Sequence, residues 1–187
     1  MAFILWLTGL PGAGKSEIAR VLVGLLDEEG EEIEYLRMNK IKTELGLTSY
    51  DDSSREKAYH ELINRALQIY DEGSNVLIDA TGYKRKWRDD IRAIAPGFIE
   101  VYVKSSLQKC VAAEMKKKNK LGTKEVYTKA LNRRMTGEKY PELGTVVGVD
   151  VAYEAPRKPS LILDRESMSV AQAGKSLFEF LRKNNFI

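Results

Sequence analysis

The chain is poor in residues that build metal clusters or covalent cross-links: of 187 residues, one is cysteine, Cys110, and one is histidine, His60. A lone cysteine excludes an internal disulfide and any cysteine-based zinc site, and the apolar neighbour Val111 points to packing rather than reactivity. A lone histidine excludes a histidine-cluster metal centre, and His60 falls in a helical segment where a surface or core role is expected. No apolar stretch approaches the roughly 20 residues of a membrane span. Met1-Ala2-Phe3 runs into an apolar segment without a charged leader or cleavage site, so no membrane partner is expected and the expected location is cytoplasmic. Internal repeats and low-complexity linkers are also lacking.

Net charge is low, at +3, but unevenly placed. Lys84 to Arg88 and Lys116 to Lys120 are basic runs, and Asp27 to Glu34 is acidic. Such basic runs form solvated faces or meet anionic ligands. A hydrophobic content of 43% over this length supports one core, and the expectation is a single domain over 1–187.

Against these absences stands one dense motif. Gly9-Leu10-Pro11-Gly12-Ala13-Gly14-Lys15-Ser16 fits G-x-x-x-x-G-K-[ST], directly after the apolar run Phe3 to Leu7 and before the helical stretch from Glu17. Glycines let backbone close around an anion. Successive N–H groups and the following helix N-terminus face phosphates. Lys15 is expected on the β/γ oxygens and Ser16 on Mg²⁺. The motif implies a nucleoside triphosphate, read as ATP with Mg²⁺.

Strand and helix patterns alternate along the rest. Strands are expected at 3–7, 33–36, 76–78, 98–103 and 161–163, and helices from the loop to about Glu29, over 53–70 with Ser53 or Ser54 as N-cap, and over 84–95, 107–117, 124–135 and 170–183. That order predicts an α/β P-loop kinase fold: a five-stranded parallel sheet with helices on both faces and ligands at the carboxyl ends of the strands. Residues 118–158, long and rich in Gly, Pro and charge, are expected to form a mobile lid covering the nucleotide.

Val76-Leu77-Ile78-Asp79 has the strand-then-acid form of a Walker B element, which would place Asp79 beside the phosphate loop as a metal-water ligand or as general base. An aspartate there can also simply cap the next turn. Arg133 and Arg134, on the lid helix, are expected to stabilise charge on the transferring phosphate; adjacent helical residues diverge by about 100°, so one of them should point inward. Lys84 and Arg88 follow Asp79 closely and could grip an anionic acceptor, as could Arg55. Tyr50, Tyr59, Tyr83, Trp87 and Tyr127 flank the same cleft and could stack on a base, although core packing is the commoner use of any one of them.

These residues resemble the adenylylsulfate kinase family, P-loop kinases that phosphorylate the ribose 3′-hydroxyl of adenylyl sulfate. The resemblance rests on Trp6-Leu7-Thr8-Gly9-Leu10, on Phe98 to Val103 with Cys110 beyond, on Tyr127-Thr128-Lys129-Ala130, and on Gly148 to Pro156, which is similar to G-I-D-S-P-Y-E-A-P. It spans nearly the whole chain and implies acceptor contact by Arg88, at the last Arg of the family's S-P-x-R-x-x-R. The chain departs from the family on the acceptor side. Where the family has D-G-D-N-x-R, this chain has Arg37-Met38-Asn39-Lys40-Ile41-Lys42, without either acid; Lys42, last in that stretch, is an acceptor-binding candidate. The S-P pair is Gly82-Tyr83, and an arginine that the family places near the adenine is Ala113. An acid stands instead at Asp79, where the family has a small neutral residue.

The leading expectation is an ATP-dependent kinase acting on a small hydroxyl acceptor, adenylyl sulfate first, with the catalytic acid moved from the second strand to the third. Alternatives are a kinase for another metabolite or a tRNA-linked hydroxyl, with Lys116-Lys117-Lys118 meeting the RNA, and a nucleotide switch without acceptor. Association as a homodimer is left open.

Overall fold

The structure is a computed structural model that describes residues 2–47, 51–117 and 125–187, Lys117 through its backbone only. Tyr50, Lys118 and the first part of the expected lid, 118–124, lie outside the described residues.

Five parallel strands form one sheet in the order β2-β3-β1-β4-β5: β1 (Ile4–Thr8), β2 (Glu34–Arg37), β3 (Val76–Asp79), β4 (Phe98–Lys104) and β5 (Leu161–Asp164). The central strand β1 shows why both faces must be covered. Phe3, Leu5 and Leu7 enter one apolar cluster while Ile4 and Trp6 enter another, and all five are fully buried. A strand's side chains alternate with period two, so an unbroken apolar run buries both faces. On the first face the cluster is completed by α1 (Lys15–Glu28), α5 (Leu107–Lys117) and α7 (Val170–Lys183); on the second, by α3 (Asp52–Asp71) and α4 (Arg85–Ile94). Cys110 is fully buried in the first cluster, where burial raises its thiol pKa, in keeping with a packing role.

One element is added to those expected, and one helix cap is corrected. The segment after β2 turns at once into a short helix, α2 (Met38–Glu44), which the sequence reading left unassigned. With Ile41 as its one buried residue, it shows no apolar repeat. The N-cap of α3 is Asp51, not Ser53 or Ser54: its carboxylate accepts the backbone N–H of Ser54 at 2.7 Å. A carboxylate one residue before the helix satisfies an otherwise unpaired N–H and suits the positive end of the helix dipole.

Within 125–158 there is one helix, α6 (Val126–Thr136), capped by Glu114 of α5, whose carboxylate accepts from the N–H groups of Tyr127 and Thr128, both at 2.9 Å. The segment rests on the phosphate loop through the Tyr127 hydroxyl, which donates to the Pro11 carbonyl at 2.9 Å. Among the described residues no helix is long and apolar enough to cross a membrane.

Candidate active site

Three strand ends meet at the site: Leu7 of β1 is in register with Asp79 of β3, and Asp79 with Arg37 of β2. Parallel strands bring their carboxyl ends to one edge, so the loops that follow share one cleft. That cleft holds a cavity of about 630 Å³, walled by the phosphate loop, the ends of β2 and β3, α3 and the segment 126–147.

The phosphate loop follows β1 with Gly9 pressed against β4; a Cβ there would stand 2.4 Å from the Val103 carbonyl oxygen. Gly14 is the N-cap of α1 at φ 98°, a left-handed conformation that favours glycine, and no side chain caps this helix. Its first N–H groups are thereby left to an anion. Lys15 is buried, and its ammonium donates to the carbonyls of Gly9 at 3.0 Å and Leu10 at 2.9 Å. Burial lowers its pKa, an effect that nearby Asp79 opposes.

Asp79 is 7% exposed and lines the cavity. Its Oδ2 accepts from the Ser16 hydroxyl at 2.5 Å and from the Tyr35 hydroxyl at 3.1 Å. Burial and the carboxylate together push the Tyr35 hydroxyl pKa well up, so Tyr35 stays a donor. Tyr35 escaped sequence reasoning: it sits two residues before the end of β2, in register with Leu77, and its hydroxyl reaches along β3 to Asp79.

Of the expected acceptor cations, Arg55 and Lys42 line the cavity and two do not. Arg55 is buried; its Nη1 donates to Thr145 Oγ1 at 2.8 Å, its Nη2 to the Thr145 carbonyl, and its guanidinium lies 5.4 Å from the Tyr83 ring centre. It thus ties α3 to the covering segment. Arg88 lies away from the cavity. It is 0% exposed and locked inside the fold, with Nη1 donating to Thr8 Oγ1 at 2.8 Å and Nη2 to the Glu154 carbonyl, while Nε faces Glu100 Oε1 at 3.1 Å as an ion pair rather than an aligned hydrogen bond. Trp87, Arg88 and Ile91 form the inward stripe of α4, so Arg88 faces the sheet. Lys84 likewise stays outside the cavity: its ammonium pairs with Glu56 at 2.5 Å and lies over the Trp87 ring.

The two arginines of α6 also lie outside the cavity. Arg133 donates to Asp150 at 2.6 Å, and Arg134 lies 3.5 Å from the Val149 carbonyl; neither lines the cavity. Asp150 in turn accepts the Val146 N–H at 2.6 Å, so Arg133 braces the turn 146–151. The cation that α6 does bring to the cavity is Lys129, one turn earlier, paired with Glu142 at 2.8 Å. Arg37 lines the cavity as well, its guanidinium 5.8 Å from the Tyr35 ring centre. Of the aromatic candidates, Tyr59 and Tyr83 line the cavity, but both also pack on Trp87, Tyr59 stacked at 3.7 Å and Tyr83 edge-on at 5.1 Å.

Among the described residues no group of three or more His, Cys, Asp or Glu could cage a metal. The adjacent Ser16 hydroxyl and Asp79 carboxylate form a small, hard oxygen set. That set suits Mg²⁺, which is commonly held by one or two protein oxygens together with substrate phosphates.

The family model for adenylylsulphate kinase matches residues 1–164. The chain is similar to the adenylyl-sulfate kinase of Bacillus velezensis, 30% identical over 97% of this chain and 85% of that one. It is also similar to the probable adenylyl-sulfate kinase of Aeropyrum pernix, 28% identical over 96% of this chain and 92% of that one. Its fold matches that of an APS kinase from Mycobacterium tuberculosis in complex with AMPPNP and APS, with a TM-score of 0.75 over 97% of this chain and 98% of that one, at 22% identity. With the phosphate loop and the sheet order in place, the chain belongs to the adenylylsulfate kinase family of ATP-dependent kinases.

Proposed function

We propose that the protein transfers the γ-phosphate of ATP to the 3′-hydroxyl of adenylyl sulfate. The observation that carries this reading is the shared wall of the cavity: Asp79, in contact with Ser16 of the phosphate loop, opens onto a chamber that also presents Arg37, Lys42, Arg55 and Lys129. A sulfated nucleotide is anionic, and four cations around one cavity suit it. The kinases similar to this chain act, by name, on that acceptor. Family membership also favours a small acceptor over tRNA, and transfer over switching.

In this reading Lys15 leaves the loop carbonyls for phosphate oxygens, and the N-terminal N–H groups of α1 hold the chain of phosphates. Ser16 and Asp79 would hold Mg²⁺, which supplies charge neutralisation on the phosphates when bound. The acceptor oxygen forms its bond to the γ-phosphorus as the bond to the β,γ-bridging oxygen breaks, and the hydroxyl proton passes to Asp79 or to water. Phosphoryl transfer has a loose transition state, so positioning and charge stabilisation outweigh proton removal. Arg37, Lys42 and Arg55 would orient the acceptor, and Lys129 would supply the cation that the lid arginines do not.

The reading is tested by an acceptor screen that includes adenylyl sulfate and scores phosphorylated product. Formation of phosphoadenylyl sulfate together with ADP is expected. If no such product forms at saturating acceptor while another anionic alcohol is phosphorylated, the acceptor assignment falls and the kinase chemistry stands. The replacement of both family acids by Arg37 and Asn39 is the specific observation favouring that second outcome.

A further inference from the structure

The phosphate loop has two flanks, and the acceptor cavity occupies only one. On the other stand α5 and the turn after β5. Arg165, the first residue of that turn, lies against Gly14: a Cβ added to Gly14 would meet Arg165 Nε at 3.4 Å and Nη2 at 4.0 Å, and, its chain neighbours aside, nothing else within 4 Å among the described residues. The arginine is anchored at its far edge. Its Nη1 donates to the Met168 carbonyl, its backbone N–H to the Lys104 carbonyl at 2.8 Å, and its own carbonyl accepts from the Lys109 ammonium. Its Nε is buried and has no hydrogen-bond partner among the described residues.

Arg88 also has a buried Nε without an aligned hydrogen bond, but that Nε faces the Glu100 carboxylate, whereas the Nε of Arg165 faces glycine backbone. Guanidinium is always charged and presents its Nε and Nη2 hydrogens side by side, a fork matched to two oxygens of one phosphate. Here the anchoring contact uses the opposite edge, and the Nε side of the fork lies against the phosphate loop. Buried donors in native proteins almost always have partners, and an exception calls for a ligand or another explanation. Transfer requires the γ-phosphate to face Asp79 and the cavity, so the remaining phosphates and the nucleoside run toward the opposite flank. The neighbouring helix α5 carries neither arginine nor aromatic residue to meet them there.

We infer that Arg165 is a donor-binding residue whose Nε/Nη2 edge grips phosphate oxygens of ATP on the side of the loop away from the acceptor. This rests on the reading of Gly9 to Ser16 as the ATP site. It adds a contact outside the loop motif and sets a fixed cation beside the phosphates remote from the transferring one.

The test is equilibrium binding of ATP and of inorganic tripolyphosphate, without acceptor, to the whole protein and to Arg165→Ala and Arg165→Lys. Arg165→Ala is expected to weaken both ligands about tenfold, the scale of one charge-assisted fork. Arg165→Lys, which keeps the charge without the fork, should recover only part. Unchanged tripolyphosphate affinity in Arg165→Ala overturns the inference, whether or not ATP binding falls, because a loss confined to ATP marks a base contact. If Arg165→Ala fails to fold by circular dichroism, Arg165→Lys decides alone: a severalfold loss for tripolyphosphate upholds the fork, and wild-type affinity overturns it. Failure of the unmodified protein to bind either ligand would instead remove the donor-site reading itself, and with it this inference.

Discussion

The donor and acceptor walls of the cavity are built differently. The wall read as the donor side is one continuous stretch, Gly9 to Ser16, and what it offers is largely backbone N–H groups set by the turn from β1 into α1. The acceptor wall is assembled from separate segments: Arg37 to Lys42, Arg55, Asp79 to Tyr83, Lys129, and 142–147. A backbone site depends on local conformation and tolerates few changes of sequence. A side-chain site assembled from distant segments can exchange one residue for another wherever a neighbouring strand offers a replacement. In this chain Arg37 of β2 is in register with Asp79 of β3, so an acid lost from one strand end and gained on the next remains at the same edge of the sheet.

Four substitutions sharpen that contrast. Arg88→Ala should have the largest effect, and on stability rather than on binding: it leaves buried Glu100 with Arg92 as its one remaining cation and removes the hydrogen bonds to Thr8 and Glu154, at a cost of about 3 kcal/mol. Denaturant unfolding reads this directly, and a stable variant with only a raised acceptor KM would restore Arg88 to the acceptor site. Arg55→Ala should raise acceptor KM by about 10- to 100-fold, the scale of losing a charge-assisted contact, while ATP affinity holds. Loss of ATP affinity instead would show that its tie to Thr145 shapes the donor side. Tyr35→Phe deletes one of two hydrogen bonds to Asp79 Oδ2 and should lower kcat about tenfold with little change in ATP binding. The smallest effect is expected from Arg133→Ala, within about twofold in kcat, because this arginine braces Asp150 outside the cavity. A hundredfold loss there would mean that the covering segment rearranges to bring Arg133 onto the phosphate.

The sequence made the sheet and the donor wall readable because their signals are local. Apolar runs mark β1, β3 and β5, the last two closed by Asp79 and Asp164, and the loop motif is contiguous. The acceptor wall was half readable. Lys42, Arg55 and Asp79 line the cavity as expected, while Arg88, Lys84, Arg133 and Arg134 do not. Nothing in their charge separates the two groups. Arg88 shares the inward stripe of α4 with Trp87 and Ile91, so the helical period was a usable signal for it. Lys84 is diverted by Glu56, a partner 28 residues away, and Arg133 by Asp150, 17 residues away. Tyr35 meets Asp79 only because β2 pairs with β3 and its hydroxyl reaches past Leu77, and Arg165 meets Gly14 only through the return of β5 to the sheet edge.

The central claim is that Asp79 now performs the acid's work that the family places after its second strand. It is tested most directly by measuring turnover and ATP affinity of Asp79→Asn on the same preparation. The account predicts a fall in kcat of about 100- to 1,000-fold, the range of a lost acid–base or electrostatic group, with ATP still bound. Turnover within a few-fold of the unmodified enzyme, with ATP bound normally, would contradict it.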